Sequence, residues 1–151
     1  GDLVSVVVIA TDKTVEFKAK EEAAKLQSFA NMVVGILRNK SEFLRFVSGS
    51  RELLTQANQI LKANRFDAES IRGLRRILHT LKGASATFGV YKLTERIHQA
   101  ENITSEISDF AAVQKTLSRE IDDIKSELEL LLQEQRSVLG DILDAGAPVR
   151  E

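Results

Sequence analysis

The sequence predicts an all-α protein: an antiparallel four-helix bundle with an additional long N-terminal helix and a short N-terminal strand. Three observations carry this expectation. The one proline in the 151 residues is Pro148, so nothing before it forces a helix to break. Apolar residues recur at spacings of three and four from Ala19 to Leu131, the period of helices that bury one face. Residues suited to helix ends, Asp67, Gly89 and Ser108 or Asp109, fall between those stretches.

Composition narrows the class of function. Hydrophobic residues make up 43% and charged residues 28% of the chain, a globular rather than a disordered balance. A formal net charge of −1 argues against a strongly basic nucleic-acid binder. With no cysteine, disulfides, thiolate nucleophiles and Cys-ligated zinc are excluded. The longest apolar run, Val6 to Ala10, is too short to span a bilayer. A cytoplasmic location without membrane contact is expected for this fragment, whatever anchors its parent. The opening Gly-Asp, in place of Met, is read as the start of an excised piece. Two histidines leave any histidine chemistry to His79, His98 or both.

The elements follow in order. Leu3–Ala10 (LVSVVVIA) is short, apolar and β-branched, and reads as a strand whose sheet lies elsewhere. Asp12 or Thr14 can accept hydrogen bonds from the free N–H groups of a helix start, and Glu16, Glu21 and Glu22 suit its positive end. Strand, Asp-x-Thr and charged helix together resemble the exit from a PAS sensor domain, which makes residues 1–13 the end of such a domain and 14–39 a signalling helix. Within 14–39, Ala19, Ala23, Leu26, Ala30, Val33 and Leu37 form a seam of about three heptads, with Phe29, Val34 and Ile36 beside it. Such a stripe needs a partner helix, within the bundle or across a homodimer.

Residues 40–140 then read as the bundle. Ser41–Arg65 carries Phe43, Val47, Leu54 and Leu61 on one face, flanked by Phe46, Leu53 and Ile60. Asp67 caps a helix over Ala68–Thr87 with Ile71, Leu74, Leu78, Leu81 and Phe88 inward, and Gly89 ends it. A fourth helix is expected over Val90–Ile107, burying Leu93, Ile97, Ala100 and Ile103. The fifth, capped by Ser108 or Asp109, presents Val113, Leu117, Ile121, Ile124, Leu128 and Leu131. Residues 141–151, with Gly146 and Pro148, read as a linker.

Chemistry concentrates at His79-Thr80-Leu81-Lys82-Gly83. At about 100° per residue, His79, Lys82, Gly83 and Ala86 share a face turned away from Leu74, Leu78 and Leu81. Glycine inside a helix costs about 1 kcal/mol against alanine, so Gly83 invites a reason such as close approach of another backbone or of a partner protein. The run HTLKGASATFG is similar to the phosphoacceptor helix of histidine phosphotransfer (HPt) domains, most closely the CheA type. His98-Gln99-Ala100-Glu101 resembles the H-x-x-E that follows it there, and the resemblance covers roughly Ser41 to Leu132.

That resemblance implies a phosphorelay from a larger bacterial sensor histidine kinase. His79 would be the phosphoacceptor, Glu101 the acceptor that fixes its tautomer, and Lys82 the cation that attracts phosphoryl oxygens, with His98 in the same cluster. Gly83, Ala86 and Thr87 would form the docking face for a response-regulator receiver domain. No Gly-rich phosphate loop is present, so no cofactor is expected in this fragment. ATP would belong to the kinase domain and Mg²⁺ to the regulator. Two other readings remain at this point: a coiled-coil dimerisation module in which His79 is incidental, and a metal-binding bundle using its histidines and a carboxylate.

Overall fold

A computed structural model describes the backbone of residues 2–145 and the side chains of residues 12–136. The helices are α1 (Asp2–Arg38), α2 (Lys40–Lys62), α3 (Ala68–Thr87), α4 (Tyr91–Ile103) and α5 (Phe110–Ala145). Helices α2 to α5 close a ring in which α2 and α4 each pack against both α3 and α5. Short connections make neighbours antiparallel, so the all-α bundle expected from the apolar periodicity is the fold. No described helix is long and apolar enough to cross a membrane.

The apolar faces meet in one core. Leu74, Leu78, Ile97, Leu117 and Ile121 are completely buried, with Phe43, Leu54, Ile71, Leu81, Leu93 and Ile124 nearly so. Each such side chain contributes about 1.5–3 kcal/mol relative to exposure. Phe88 closes one end, its ring 5.5 Å from Phe43 and 5.1 Å from Phe46. Arg51 of α2 forks onto both carboxylate oxygens of Glu129 on α5, at 2.8 and 2.9 Å. Gln114 donates to the Leu61 carbonyl at 2.7 Å, satisfying an acceptor that the end of α2 leaves open.

The helix that matters most for the site is held at both ends. Asp67 accepts from the backbone N–H groups of Glu69 and Ser70, and the Ser70 hydroxyl accepts from the Asp67 N–H, a complete capping box. At the other end Val90 N–H donates to Ser85 O and Gly89 N–H to Ala86 O, with Gly89 at φ 66°. This is a Schellman closure, and its left-handed residue is the expected glycine. Asp109 likewise caps α5, its carboxylate accepting from Ala111 N–H at 2.9 Å.

Three expectations are corrected. The strand at Leu3–Ala10 is not there: the segment is the first part of α1, and no strand occurs among the described residues. A lone strand leaves its backbone groups without a ladder, whereas a helix pairs them internally. With the strand goes the helix start at Asp12–Thr14, which lies within α1, and the structural basis of the PAS-like exit. Next, α4 stops at Ile103 instead of Ile107. The Thr104 hydroxyl folds back onto Glu101 O, and Arg75 donates to the Thr104 carbonyl and hydroxyl, so these groups terminate the helix. Finally, α5 continues through Asp141–Ala145, part of the expected linker; residues 146–151 lie outside the described residues.

The last turns of α1 join the bundle through Met32 and Ile36, both buried, with Val33 packed against the same core. Met32 and Ile36 lie beside the heptad seam, and Val33 lies on it. A cleft of about 330 Å³ remains between α1, the start of α4 and α5, floored by Met32, Val90, Leu93 and Leu131. Helix α1 is thus fastened to the bundle by one end.

Candidate functional site

Helix α3 sets the geometry. Its buried row, Ile71, Leu74, Ile77, Leu78 and Leu81, turns the opposite row outward, and His79, Gly83, Ala86 and Thr87 are exposed there. Helix α4 packs alongside, buried through Leu93, Ile97 and Ala100. One residue beyond Ala100, Glu101 emerges at the seam between the two helices, with only 16% of its side chain exposed.

Three basic groups converge on that carboxylate. His79 Nδ1 lies 3.1 Å from Oε1, and the Lys82 ammonium is hydrogen-bonded to Oε2. His98, one turn before Glu101 on α4, places Nδ1 3.7 Å from Oε2, near but beyond a hydrogen bond. Burial raises the Glu101 pKa, but the hydrogen bonds from Lys82 and His79 and their charges outweigh it and hold the carboxyl below its ordinary value. Glu101 is therefore an anion that can only accept. With Glu101 as acceptor, the proton of a neutral His79 sits on Nδ1 and the lone pair on Nε2. The ring is 74% exposed, so a reagent can reach it from solvent.

The four residues singled out on chemical grounds, His79, Lys82, His98 and Glu101, thus form one cluster although they come from two helices. The smaller residues fall beside it. A Cβ built on Gly83 would meet nothing within 4 Å, so the fold itself does not require glycine there. The close approach expected at Gly83 is not made by any described part of this chain. Thr87 turns its hydroxyl inward onto Gly83 O at 2.9 Å.

One contributor was not read from the sequence. Arg75, one turn before His79, donates from Nε to the Thr104 hydroxyl at 3.1 Å and from its guanidinium to the Thr104 carbonyl. This clamp ties α3 to the end of α4, one turn beyond Glu101, and so fixes the carboxylate relative to the imidazole. Nothing local marks it, because the pair is 29 residues apart. Among the described residues, no group of three or more His, Cys, Asp or Glu is arranged to hold a metal ion. Lys82 occupies the remaining oxygen of Glu101.

Fold and site together are those of a helical bundle that presents an exposed imidazole, its Nδ1 oriented by a half-buried carboxylate. The family model for the Hpt domain matches residues 43–136, and the chain belongs to that family. No curated protein and no solved structure matched it. The chain carries a phosphohistidine in a phosphorelay, as Hpt domains do.

Proposed function

We propose that His79 is the phosphohistidine and that the other members of its cluster tune it. The Nε2 lone pair attacks the phosphorus of the donor, the bond from phosphorus to the donor's leaving oxygen breaks, and the electron pair leaves with that oxygen. Glu101 holds the Nδ1 proton and balances the positive charge that develops on the ring. Lys82 is placed to release Glu101 and attract the phosphoryl oxygens, and His98 adds positive charge beside Glu101 when protonated. The 3.1 Å contact from His79 Nδ1 to Glu101 carries this reading, because it leaves Nε2 as the reacting atom.

The donor is an ATP-binding histidine kinase domain and the recipient an aspartate of a response-regulator receiver domain, which docks over Gly83, Ala86 and Thr87. ATP and Mg²⁺ are supplied by those partners. The His/Lys/His/Glu set is CheA-like, and the parent is a sensor kinase whose relay operates in the cytoplasm. The exposed stripe along residues 14–39 pairs two copies of the chain.

Phosphorylation with a histidine kinase domain and labelled ATP tests the assignment. Acid-labile, base-stable label is expected on the protein and is lost in His79→Gln. Label that persists in the variant overturns the assignment of His79. Stoichiometric metal by elemental analysis, with no label from any kinase, would favour the metal-binding bundle instead.

A further inference from the structure

Helix α5 carries an amide that the bundle buries without pairing. Gln135 is 3% exposed, and its Oε1 atom has no hydrogen-bond partner among the described residues. Ser85 and Thr104 are buried as deeply, and each hydroxyl donates to a carbonyl three residues earlier, Lys82 O and Glu101 O. An acceptor taken out of water and given no donor forfeits its hydrogen bonds, which is why packed chains hold few of them. Gln135 also lines the cleft of about 330 Å³ between α1, the start of α4 and α5. Sites for small molecules run from about 300 to 1,000 Å³, mostly apolar with a few polar groups that fix orientation. The apolar lining here is Phe29 and Met32 from α1, Val90 and Leu93 at the start of α4, and Leu131 from α5. Phe29 is still 45% exposed, so the cleft has apolar surface left to cover.

We propose that this cleft binds a small neutral molecule with a compact apolar body and one N–H or O–H group, which donates to Gln135 Oε1. Neutrality follows from the lining charges: Lys25 and Lys92 are balanced by Glu127 and Glu134, so an ion of either sign gains little. The donor follows from the unpaired acceptor, and the apolar body from the five side chains around it. None of His79, Lys82, His98 and Glu101 lines the cleft, so the proposal goes beyond the phosphotransfer reading and stands apart from it. Lys25, Ser28, Phe29 and Met32 lie about 130° round α1 from the heptad seam, so pairing along that seam leaves the cleft open. A bound molecule touches α1 on one side and the Gly89–Val90 turn that closes α3 on the other, and thereby fastens α1 to the bundle. Binding to the folded chain alone raises its stability by mass action.

Titration of the full 151-residue chain with indole, followed by NMR, tests the proposal. Indole has the apolar body and a single N–H; benzofuran has the same shape with an oxygen in its place. Indole is expected to shift the signals of Phe29, Leu131 and Gln135 saturably and to raise the melting temperature. Benzofuran should bind about tenfold more weakly, since it leaves Oε1 unpaired. In Gln135→Leu that preference should vanish, with benzofuran held at least as well as by the parent chain. Phe29 lies outside the bundle core, so Phe29→Ala should keep the bundle's fold and weaken both probes alike. Three results would overturn the proposal: no saturable shifts at the cleft, equal affinity for the two probes in the parent chain, or a Gln135→Leu chain that still prefers indole. Equal affinity in the parent chain would show that water already serves Gln135.

Discussion

Glu101 is the residue on which the site depends. Its carboxylate accepts from His79 and Lys82 and lies near His98, so replacing it releases three basic groups at once. Glu101→Ala is expected to slow phosphorylation of His79 by about 10- to 100-fold through lost orientation. The thermal transition should fall only modestly, since the side chain fills none of the core and its removal costs the stability that its lowered pKa represents. Glu101→Gln should fall between, keeping an oxygen for Nδ1–H but losing the charge that stabilises an imidazolium. Single-turnover labelling against matched melting curves checks this, and an unchanged rate would remove the orienting role. All four cluster residues were legible from the two short strings around His79 and His98. Arg75 and Thr104 were not, because a clamp between distant residues leaves no local pattern.

At the scale of one element, the two glycines of the α3 region have opposite roles. Gly89 adopts φ 66°, where an L side chain crowds its own carbonyl, and Gly89→Ala should cost about 1–2 kcal/mol. For a chain of this size that corresponds to a fall in Tm of about 2–8 °C. Gly83 is helical with open space around its Cα, so Gly83→Ala should stabilise the protein by up to about 1 kcal/mol. If a receiver domain approaches over that position, the same variant transfers phosphate to it more slowly while its own phosphorylation is less affected. Differential scanning calorimetry and a two-step transfer assay separate these effects. Sequence signals for α3 were strong at both ends, Asp67 and Gly89, and its limits agree with them. Signals for residues 3–10 misled because β-branched propensity describes how side chains fit a pleated surface, and no sheet is present among the described residues to provide one.

For the whole molecule, pH dependence follows from its carboxylates. Hydrogen bonds from the Ser70 backbone, with other local groups, hold Asp67 below its ordinary pKa, and the Arg51 fork does the same for Glu129. Glu101 is also lowered, the bonds from Lys82 and His79 outweighing its burial. A carboxyl whose folded pKa is depressed adds stability above its unfolded pKa and loses it as pH falls through the folded one. Stability should therefore be level near neutrality and decline below about pH 4. Arg51→Gln should make that decline shallower, because the hydrogen bond and charge that do most to hold Glu129 down are then gone. Both partners of this brace are about half exposed, so the effect should shrink in high salt. Denaturant titrations across the acid range at two ionic strengths check both statements.

By itself the sequence determined the helical class, the apolar faces of the bundle, the caps at Asp67 and Gly89 and which four residues make up the cluster at Glu101. All of these are written in local periodicity or in short strings, where neighbours in the chain are neighbours on a helix. Only the tertiary structure decided that Glu101 touches both His79 and Lys82, that Arg75 locks α3 to α4, and that α1 meets the bundle through Met32 and Ile36 rather than along its heptad seam. Those outcomes depend on how helices rotate and slide against one another. Packing of the whole core sets that register, and no single segment encodes it.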